Sequence, residues 1–422
     1  MFDAGRLCMH CMQEVIYNNF CGSCGNPPLH KQIVPNALPL RTILNGRYLT
    51  GKVLGAGGFG ITYLGYDLQA NKRIAIKEFM PSGLAKRTAG QTMMQSIQEG
   101  KAFSESKQRF LEEARTIYQY RQNPNILQVY SLFEENGTAY YAMEFLEGMD
   151  LKHLLLERGG KVSWQELKPI VLQVIDALQP LHNNGVVHRD ISPDNIYISP
   201  YGKVTLIDFG ASRQFVAQKQ MTVILKRKYA PIEQYEMKGK QGPWTDIYAL
   251  AATMYHVLTG HLPPEATQRA YRDEIKSFRQ CGILLDINVE QAIYKALKVE
   301  KEYRYQNVVA FRNDLLGLER KIMLTCLKGN FKGMQLELNS DITVGRNPEI
   351  CQLVYPKGGR GISKRHCMFS VNRGGTDITV IDMGSTYGTW VNGVRLLAGV
   401  STKLSFGDTV TFGEEEVWQI TD

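Results

Sequence analysis

The chain has 422 residues, 44% hydrophobic and 21% charged; these globular proportions exclude wholesale disorder and, at ~150 residues per domain, imply about three folded units. No run approaches the ~18 uninterrupted apolar residues of a membrane helix, and the opening Met1-Phe2-Asp3-Ala4-Gly5-Arg6 lacks the basic-then-apolar order of a secretory leader, so the expected location is the cytoplasm. The net charge of +8 is concentrated in residues 211–240, where Arg213, Lys219, Lys226, Arg227, Lys228, Lys238 and Lys240 face only Glu233 and Glu236. Such a segment is either a solvated loop or a surface for phosphate or an acidic peptide. Nucleic acid is the less expected partner, because nucleic-acid surfaces usually spread their basic residues along a face with aromatic neighbours.

At the amino end, Cys8-Met9-His10-Cys11 and Cys21-Gly22-Ser23-Cys24 form two Cys-x-x-Cys pairs. Two such knuckles can place four thiolates around one tetrahedral ion, and zinc suits an all-sulfur set. Two disulfides or four free thiols are the alternatives, and the expected reducing compartment opposes the first. With no open position the site reads as structural, and the segment 1–27 resembles a short zinc ribbon. Cys281, Cys326, Cys351 and Cys367 are scattered and read as ordinary buried thiols. Pro27, Pro28, Pro35 and Pro39 then mark residues 28–45 as a semi-extended spacer.

Next comes an apolar strand, a glycine-rich turn and a second strand, from Val53-Leu54-Gly55-Ala56-Gly57-Gly58-Phe59-Gly60 to Ile61-Thr62-Tyr63-Leu64. Gly55, Gly57 and Gly60 would let backbone amides approach phosphate oxygens, although a plain hairpin turn has the same glycines. A strand, not a helix, follows the turn, which argues against a dinucleotide fold. Ile74-Ala75-Ile76-Lys77 then reads as a buried strand carrying one lysine, which needs a partner anion.

From here the chain resembles the eukaryotic-type (Hanks-type) serine/threonine protein kinases of bacteria, over residues 46–317. The landmarks recur in that family's order: Gly55 to Gly60, Lys77, Glu113, His188-Arg189-Asp190, Asn195, and Asp208-Phe209-Gly210. Counting Asp190 and Asn195 as one catalytic-loop motif, five motifs in register are far more specific than any one alone. The resemblance implies a bilobal α+β fold in which Lys77 holds the α/β-phosphates and pairs with Glu113. It implies that Asp208 and Asn195 ligate magnesium and that Asp190 orients the incoming hydroxyl. ATP would sit with its base between Leu54, Thr62 and Ala75 above and Tyr197 below. Met143-Glu144-Phe145-Leu146 would form the hinge, with backbone groups of Glu144 and Leu146 reading the adenine edge. By the same resemblance Glu233 closes the activation segment, Arg304 is its ion-pair partner and Asp246 braces the catalytic loop. Residues 80–107 are a longer insertion than the family minimum and read as a decorated loop.

Three departures matter. Tyr197 replaces an aliphatic floor. Ser192 stands where the family usually has a lysine reaching the transferred phosphoryl group. Lys226 stands where it usually has a threonine touching the catalytic aspartate. The expectation is that the charge has moved, with Lys226 replacing the missing lysine; at an effective dielectric of 20 such a cation contributes at most ~4 kcal/mol, about three decades in rate. Arg189 beside Asp190 implies control by activation-segment phosphorylation, with Thr222 the first candidate acceptor and Ser212 the second.

Residues 322–422 change character. Short alternating runs such as Gln335-Leu336-Glu337-Leu338 and Thr379-Val380-Ile381-Asp382, separated by Gly, Asn and Asp turns, predict an all-β sandwich. Val344-Gly345-Arg346, Ser363-Lys364-Arg365-His366 and the run from Asp382 to Gly393 resemble the forkhead-associated (FHA) domain. That resemblance implies phosphothreonine binding, with Arg346 and Ser363 on the phosphate and Lys364 and Thr386 beside them. His366 and Asn392 would shape the loops, and Tyr387 replaces an asparagine that grips the peptide backbone. The whole reads as a multidomain, autophosphorylating serine/threonine kinase that uses ATP, magnesium and structural zinc and recruits phosphothreonine partners. The rival is a pseudokinase scaffold that binds nucleotide and phosphopeptides without catalysis.

Overall fold

The structure is a computed structural model that describes residues 4–13, 20–97, 101–209, 228–236, 239–318, 322–356, 361–371 and 378–421. The chain divides into two compact units, Met1–Leu316 and Gly317–Asp422.

The first unit begins with a mainly β lobe. Its strands are β1 (Ile43–Leu44), β2 (Tyr48–Ala56), β3 (Gly60–Asp67), β4 (Lys72–Phe79), the small hairpin β5 (Ala85–Lys86) and β6 (Gln95–Ser96), then β7 (Val129–Glu135) and β8 (Thr138–Glu144). Helix α1 (Lys101–Gln119) precedes β7. The main sheet is antiparallel in the order β1-β2-β3-β4-β8-β7. Strand alternation gives this sheet two cores. Ala75, Phe79, Tyr141 and Met143 pack with Phe110, Leu111, Ala114 and Ile117 of α1. Ile74, Ile76, Tyr63 and Tyr140 pack on the other face with Leu38, Leu44, Ala85 and Met94.

Below lies a mainly helical lobe: β9 (Met149–Asp150), α2 (Leu151–Glu157), α3 (Trp164–Asn183), β10 (Ile196–Ile198), β11 (Val204–Leu206), α4 (Pro243–Thr259), α5 (Ala266–Tyr271), α6 (Ile287–Ala296) and α7 (Val308–Leu316). Ser163 and Glu166 form a capping box that starts α3. Gly260, at φ 74°, ends α4 in the left-handed region that favours glycine. Almost every residue of α4 is buried, including Asp246, which makes it the post on which the catalytic loop hangs.

The second unit packs a six-stranded sheet on a five-stranded one. Its strands are β12 (Met323–Lys328), β13 (Gln335–Glu337), β14 (Ile342–Gly345), β15 (Leu353–Val354), β16 (Cys367–Val371), β17 (Ile378–Asp382), β18 (Thr389–Val391), β19 (Val394–Arg395), β20 (Ser401–Leu404), β21 (Thr409–Phe412) and β22 (Glu416–Thr421). The sheet orders are β13-β12-β22-β21-β18-β19 and β15-β14-β16-β17-β20. Phe369, Val380, Phe412 and Trp418 fill the space between them, and the Trp418 indole donates to the Tyr355 hydroxyl at 3.1 Å.

Two regions differ from the sequence reading, for one physical reason. Residues 28–45 are tied down instead of spanning freely: Leu38 is fully buried and its amide donates to the Tyr63 hydroxyl at 2.9 Å. The insertion after Lys77 is likewise not a loose loop. It folds as β5–β6 and delivers Arg87 to Glu78, both side chains fully buried. Glu78 also accepts from Tyr63 at 2.6 Å and Tyr140 at 2.7 Å, while Arg87 donates to the Asn36 carbonyl at 2.6 Å. A buried charge must be neutralised, so spacer and insertion are both drawn onto the sheet. The helix also begins earlier than expected, at Lys101. Of the scattered cysteines, Cys326, Cys351 and Cys367 are buried and Cys281 is half-buried.

Candidate functional site

The cleft between the lobes is built from four chain segments. On β4, Lys77 faces it while its neighbour Glu78 faces the opposite core, as alternation requires. Thr62 pairs with Lys77 across β3–β4, and Ala75 pairs with Met143 across β4–β8. Gly60 is required sterically, because a Cβ there would lie 2.1 Å from the Glu78 carbonyl oxygen.

Lys77 forms an ion pair with Asp208. Burial alone would favour a neutral amine, but Asp208 and Glu113, which is buried on α1, hold the Lys77 proton more tightly than in water. The structure therefore brings together Lys77, Glu113 and Asp208. Tyr141, whose ring centre is 5.9 Å from Lys77 Nζ, is a fourth member that the motif order did not indicate.

The catalytic loop is held from behind. Asp246 accepts from the amides of His188 and Arg189, each at 2.8 Å, and pairs with His182 at 2.8 Å. Burial opposes its charge, yet the His182 partner and the loop amides keep its carboxyl below the usual carboxylate range. Arg189 and Asp208 both sit at positive φ, 69° and 54°, conformations that persist only where the surroundings enforce them. Asn195 donates through Nδ2 to the Asp190 carbonyl at 2.7 Å and to the Asp190 carboxylate. That use of the amide nitrogen leaves the Asn195 Oδ1 oxygen as the atom it could offer to a cation, with the Asp208 carboxylate as the second candidate donor. Two oxygen donors of this kind fit magnesium, which takes a few protein oxygens together with phosphate.

Of the base-binding candidates, Ala75 and Met143 are buried, Thr62, Glu144, Leu146 and Tyr197 are half-buried, and Leu54 is exposed. Tyr197, the expected floor of the site, has a second use. Its hydroxyl donates to the Gly148 carbonyl at 2.8 Å and lies 3.3 Å from that of Leu146, tying β10 to the hinge. An aliphatic side chain there could not make this bond. Below the cleft, Arg304 grips Glu233 through two bonds of 2.8 and 3.1 Å. Lys226, Thr222 and Ser212 lie outside the described residues.

At the amino end the sulfurs of Cys8, Cys11, Cys21 and Cys24 all lie within 4.8 Å of one another. The Cys8–Cys24 and Cys11–Cys21 separations are 3.9 and 3.7 Å. A tetrahedron with Zn–S bonds of ~2.3 Å has edges of ~3.8 Å, so the donor set fits zinc. Burial raises every thiol; neighbouring hydrogen bonds outweigh it at Cys24, from Asn26 and the other sulfurs, bringing that thiol down to about 6, while Cys11 is pushed up to about 12. The ribbon packs on the β lobe through Leu7, Met9 and Met12 against Leu49 and Leu64, with hinge residue Phe145 at the edge of the cluster. Lys52 of β2 donates its amide to the Met9 carbonyl at 2.9 Å. Gly51 is needed there, since a Cβ would lie 2.8 Å from that same carbonyl oxygen.

In the second unit the candidate phosphate residues meet where two loops touch. Ser363 Oγ accepts from the Thr386 amide at 3.1 Å and lies 3.4 Å from its hydroxyl. Arg346 donates through Nε to the Ile362 carbonyl, and its amide is 3.1 Å from the Ser363 carbonyl. Lys364 is exposed. His366 joins the loops: Nδ1 accepts from the Ser363 amide at 3.1 Å, so Nε2 carries the proton it donates to the Gly388 carbonyl at 3.0 Å. Burial lowers the His366 pKa and keeps this tautomer neutral. Asp382, which the motif reading passed over, accepts from the amides of Gly384 and Ser385 and the hydroxyls of Ser385 and Thr389, fixing the second loop. Asn392 similarly bonds Asp408 and Thr409.

Residues 48–319 match the protein kinase domain family and residues 342–413 the FHA domain family. The chain belongs to the protein kinase family. Among known proteins it is similar to serine/threonine-protein kinase F of Synechocystis sp., 30% identical over 58% of this chain and 48% of that protein. It is also similar to serine/threonine-protein kinase PrkC of Bacillus subtilis, 28% identical over 64% of this chain and 40% of that protein. The chain thus spans less than half the length of these curated relatives. A solved structure described as the PpkA-294 apo form aligns with a TM-score of 0.62 and 34% identity, covering 66% of this chain and 99% of that one.

Proposed function

We propose that this chain is a serine/threonine protein kinase that transfers the γ-phosphate of ATP to protein hydroxyls, autophosphorylates, and uses its carboxyl-terminal domain to recruit phosphothreonine partners. The observation that supports this reading is the Lys77–Asp208 ion pair, together with the hydrogen bond by which the Asn195 amide fixes Asp190. Lys77 orients the α/β-phosphates, with Glu113 steadying it. Magnesium, when bound, neutralises charge on the phosphates, and Asn195 and Asp208 would hold it. Asp190, fixed by the Asn195 amide, accepts the proton of the attacking hydroxyl. Tyr197 holds the hinge, whose backbone at Glu144 and Leu146 reads the base.

Lys226 supplies the charge that Ser192 lacks. Arg189 Nε is buried without a hydrogen-bond partner among the described residues, which suits a guanidinium awaiting a phosphate on Thr222 or Ser212. Lys364 and Thr386 assist Arg346 and Ser363 in phosphothreonine capture, and a tethered reader acts at roughly millimolar local concentration. Zinc in the ribbon is structural and braces the β lobe. No helix among the described residues is long and apolar enough to cross a membrane, and the proposed setting is the cytoplasm.

Incubation with labelled ATP and magnesium tests the activity. Phosphate enters protein with the native chain and not with Asp208→Ala; equal silence from both favours the scaffold reading. Lys226→Ala against Lys228→Ala tests the relocated charge, with a large loss expected only from the first. Chelation is expected to release one zinc per chain and lower the melting temperature of the first unit; a metal-free chain that melts unchanged refutes the structural role.

A further inference from the structure

The cysteine ribbon takes no part in the phosphate chemistry, yet it touches two elements that surround the nucleotide site. The first contact is on β2. The Lys52 amide donates to the Met9 carbonyl at 2.9 Å, and the Gln32 side chain donates to the Gly51 carbonyl at 2.7 Å. Gly51 leaves no room for a side chain: a Cβ there would strike the Met12 methyl and lie 2.8 Å from the Met9 carbonyl oxygen. The same strand runs on through Leu54 into Gly55 and Ala56 of the glycine-rich turn.

The second contact is on the hinge. Phe145 is half-buried and packs against two clusters at once: the ribbon residues Leu7, Met9 and Met12, and the main core shared by both lobes. The Arg73 guanidinium lies 5.4 Å from its ring centre and pairs with Glu147, just beyond the hinge. A cavity of about 530 Å³ beside the ring, lined also by Leu7, Met12 and Glu147, leaves Phe145 room to shift. Because Phe145 stands between Glu144 and Leu146, a displaced ring moves the peptide groups expected to read the base. The ribbon thus bridges the strand expected over the base and the hinge expected at its edge. Fixing the two before the nucleotide arrives lowers the ordering cost of binding.

We propose that the docked ribbon sets the affinity of the nucleotide site, and that Gly51 and Phe145 are the positioning residues through which it acts. The inference rests on the ATP-binding reading given above and goes beyond bracing of the β lobe, because it couples two ligands. If zinc holds the ribbon in its docked form, zinc tightens nucleotide binding. By linkage, nucleotide then tightens zinc binding by the same factor.

The test uses the full chain and a non-hydrolysable ATP analogue with magnesium, titrated by calorimetry. Gly51→Ala wedges the ribbon off β2, and Phe145→Ala removes its contact on the hinge. Each should weaken nucleotide binding about tenfold, within the 5–150-fold range of coupled sites. Phe145→Leu, which keeps an apolar side chain, should retain most of the affinity. The double variant should bind about as well as the weaker single one, because both changes break the same clamp. Circular dichroism checks that each chain is folded; if Gly51→Ala is not, Met12→Ala takes its place in the cycle. Competition with a zinc-selective chromophoric chelator should show zinc held about tenfold more tightly when the analogue is bound. That gain should vanish in Phe145→Ala, a result that a merely structural contact would not produce. Equal nucleotide affinity in native and variant chains, losses that add in the double variant, or zinc affinity that is nil or indifferent to nucleotide overturns the inference alone. If the native chain does not bind the analogue, the parent reading fails and the inference with it.

Discussion

On the proposed reading the cleft of the first unit and the loop site of the second both receive phosphate, and they solve opposite problems. In the cleft, opposite charges converge from segments far apart in the chain: Lys77 meets Asp208, and Asn195 bonds Asp190. Those charges are already paired and partly buried, so an incoming metal-chelated triphosphate exchanges one set of ion pairs for another. In the loop site the scaffold holds one buried carboxylate, Asp382, inside a ring of amides and hydroxyls, and is otherwise neutral. A buried uncharged His366 and the hydroxyls of Ser363, Ser385 and Thr389 set the geometry, and the cations stand at the surface. A group that is to be transferred calls for charge that can follow it through the reaction. A group that is only to be held calls for donors that do not move.

This contrast can be broken, and the largest effect is expected in the cleft. Asp190→Asn should lower single-turnover phosphate transfer by ~10²–10⁴-fold while leaving phosphothreonine-peptide binding intact; parallel losses in both would show that the sites are not separable. Next comes the buried pair behind the sheet. Arg87→Met strands the Glu78 carboxylate in a core where its side chain has no solvent exposure, at a cost of about 3–5 kcal/mol in urea unfolding of the first unit. The double variant with Glu78→Gln should recover much of that loss. If it does not, the pair is not what holds residues 28–45 and the insertion on the sheet.

In the loop site, Arg346→Ala should weaken phosphothreonine binding ~10–100-fold, the worth of a hydrogen bond to a charged group, and leave transfer to a generic protein substrate unchanged. The smallest effect is the pH response of the same site. His366 has its pKa lowered by burial from an ordinary 6.5, so the unfolded chain takes up a proton before the folded one does. Stability of the second unit is thus full above pH ~6.5 and declines as the pH falls through the folded pKa. Calorimetry between pH 8 and 5 checks this, and His366→Gln should flatten the slope.

Much of the cleft was legible in the sequence because its chemistry depends on residue types at fixed spacing. Lys77, Asp190, Asn195 and Asp208 could be named from motif order, and the fold pairs Lys77 with Asp208 and Asn195 with Asp190. Glu78 and Arg87 were not legible. Glu78 directly follows Lys77, and only strand alternation sends the two to opposite faces; Arg87 lies in a segment whose composition suggests a loop. The proline-marked stretch failed as a spacer for the same reason, since the bonds of Asn36 and Leu38 are to residues distant in sequence.

Local patterns alone fixed the glycine turn, the cysteine knuckles and the alternating strands, because each depends on backbone freedom, ligand spacing or periodicity within a few residues. Which charges are neutralised, and by whom, was decided only by three-dimensional packing. Burial penalises an unpaired charge wherever it arises, and the chain satisfies that penalty with whichever partner the fold brings near.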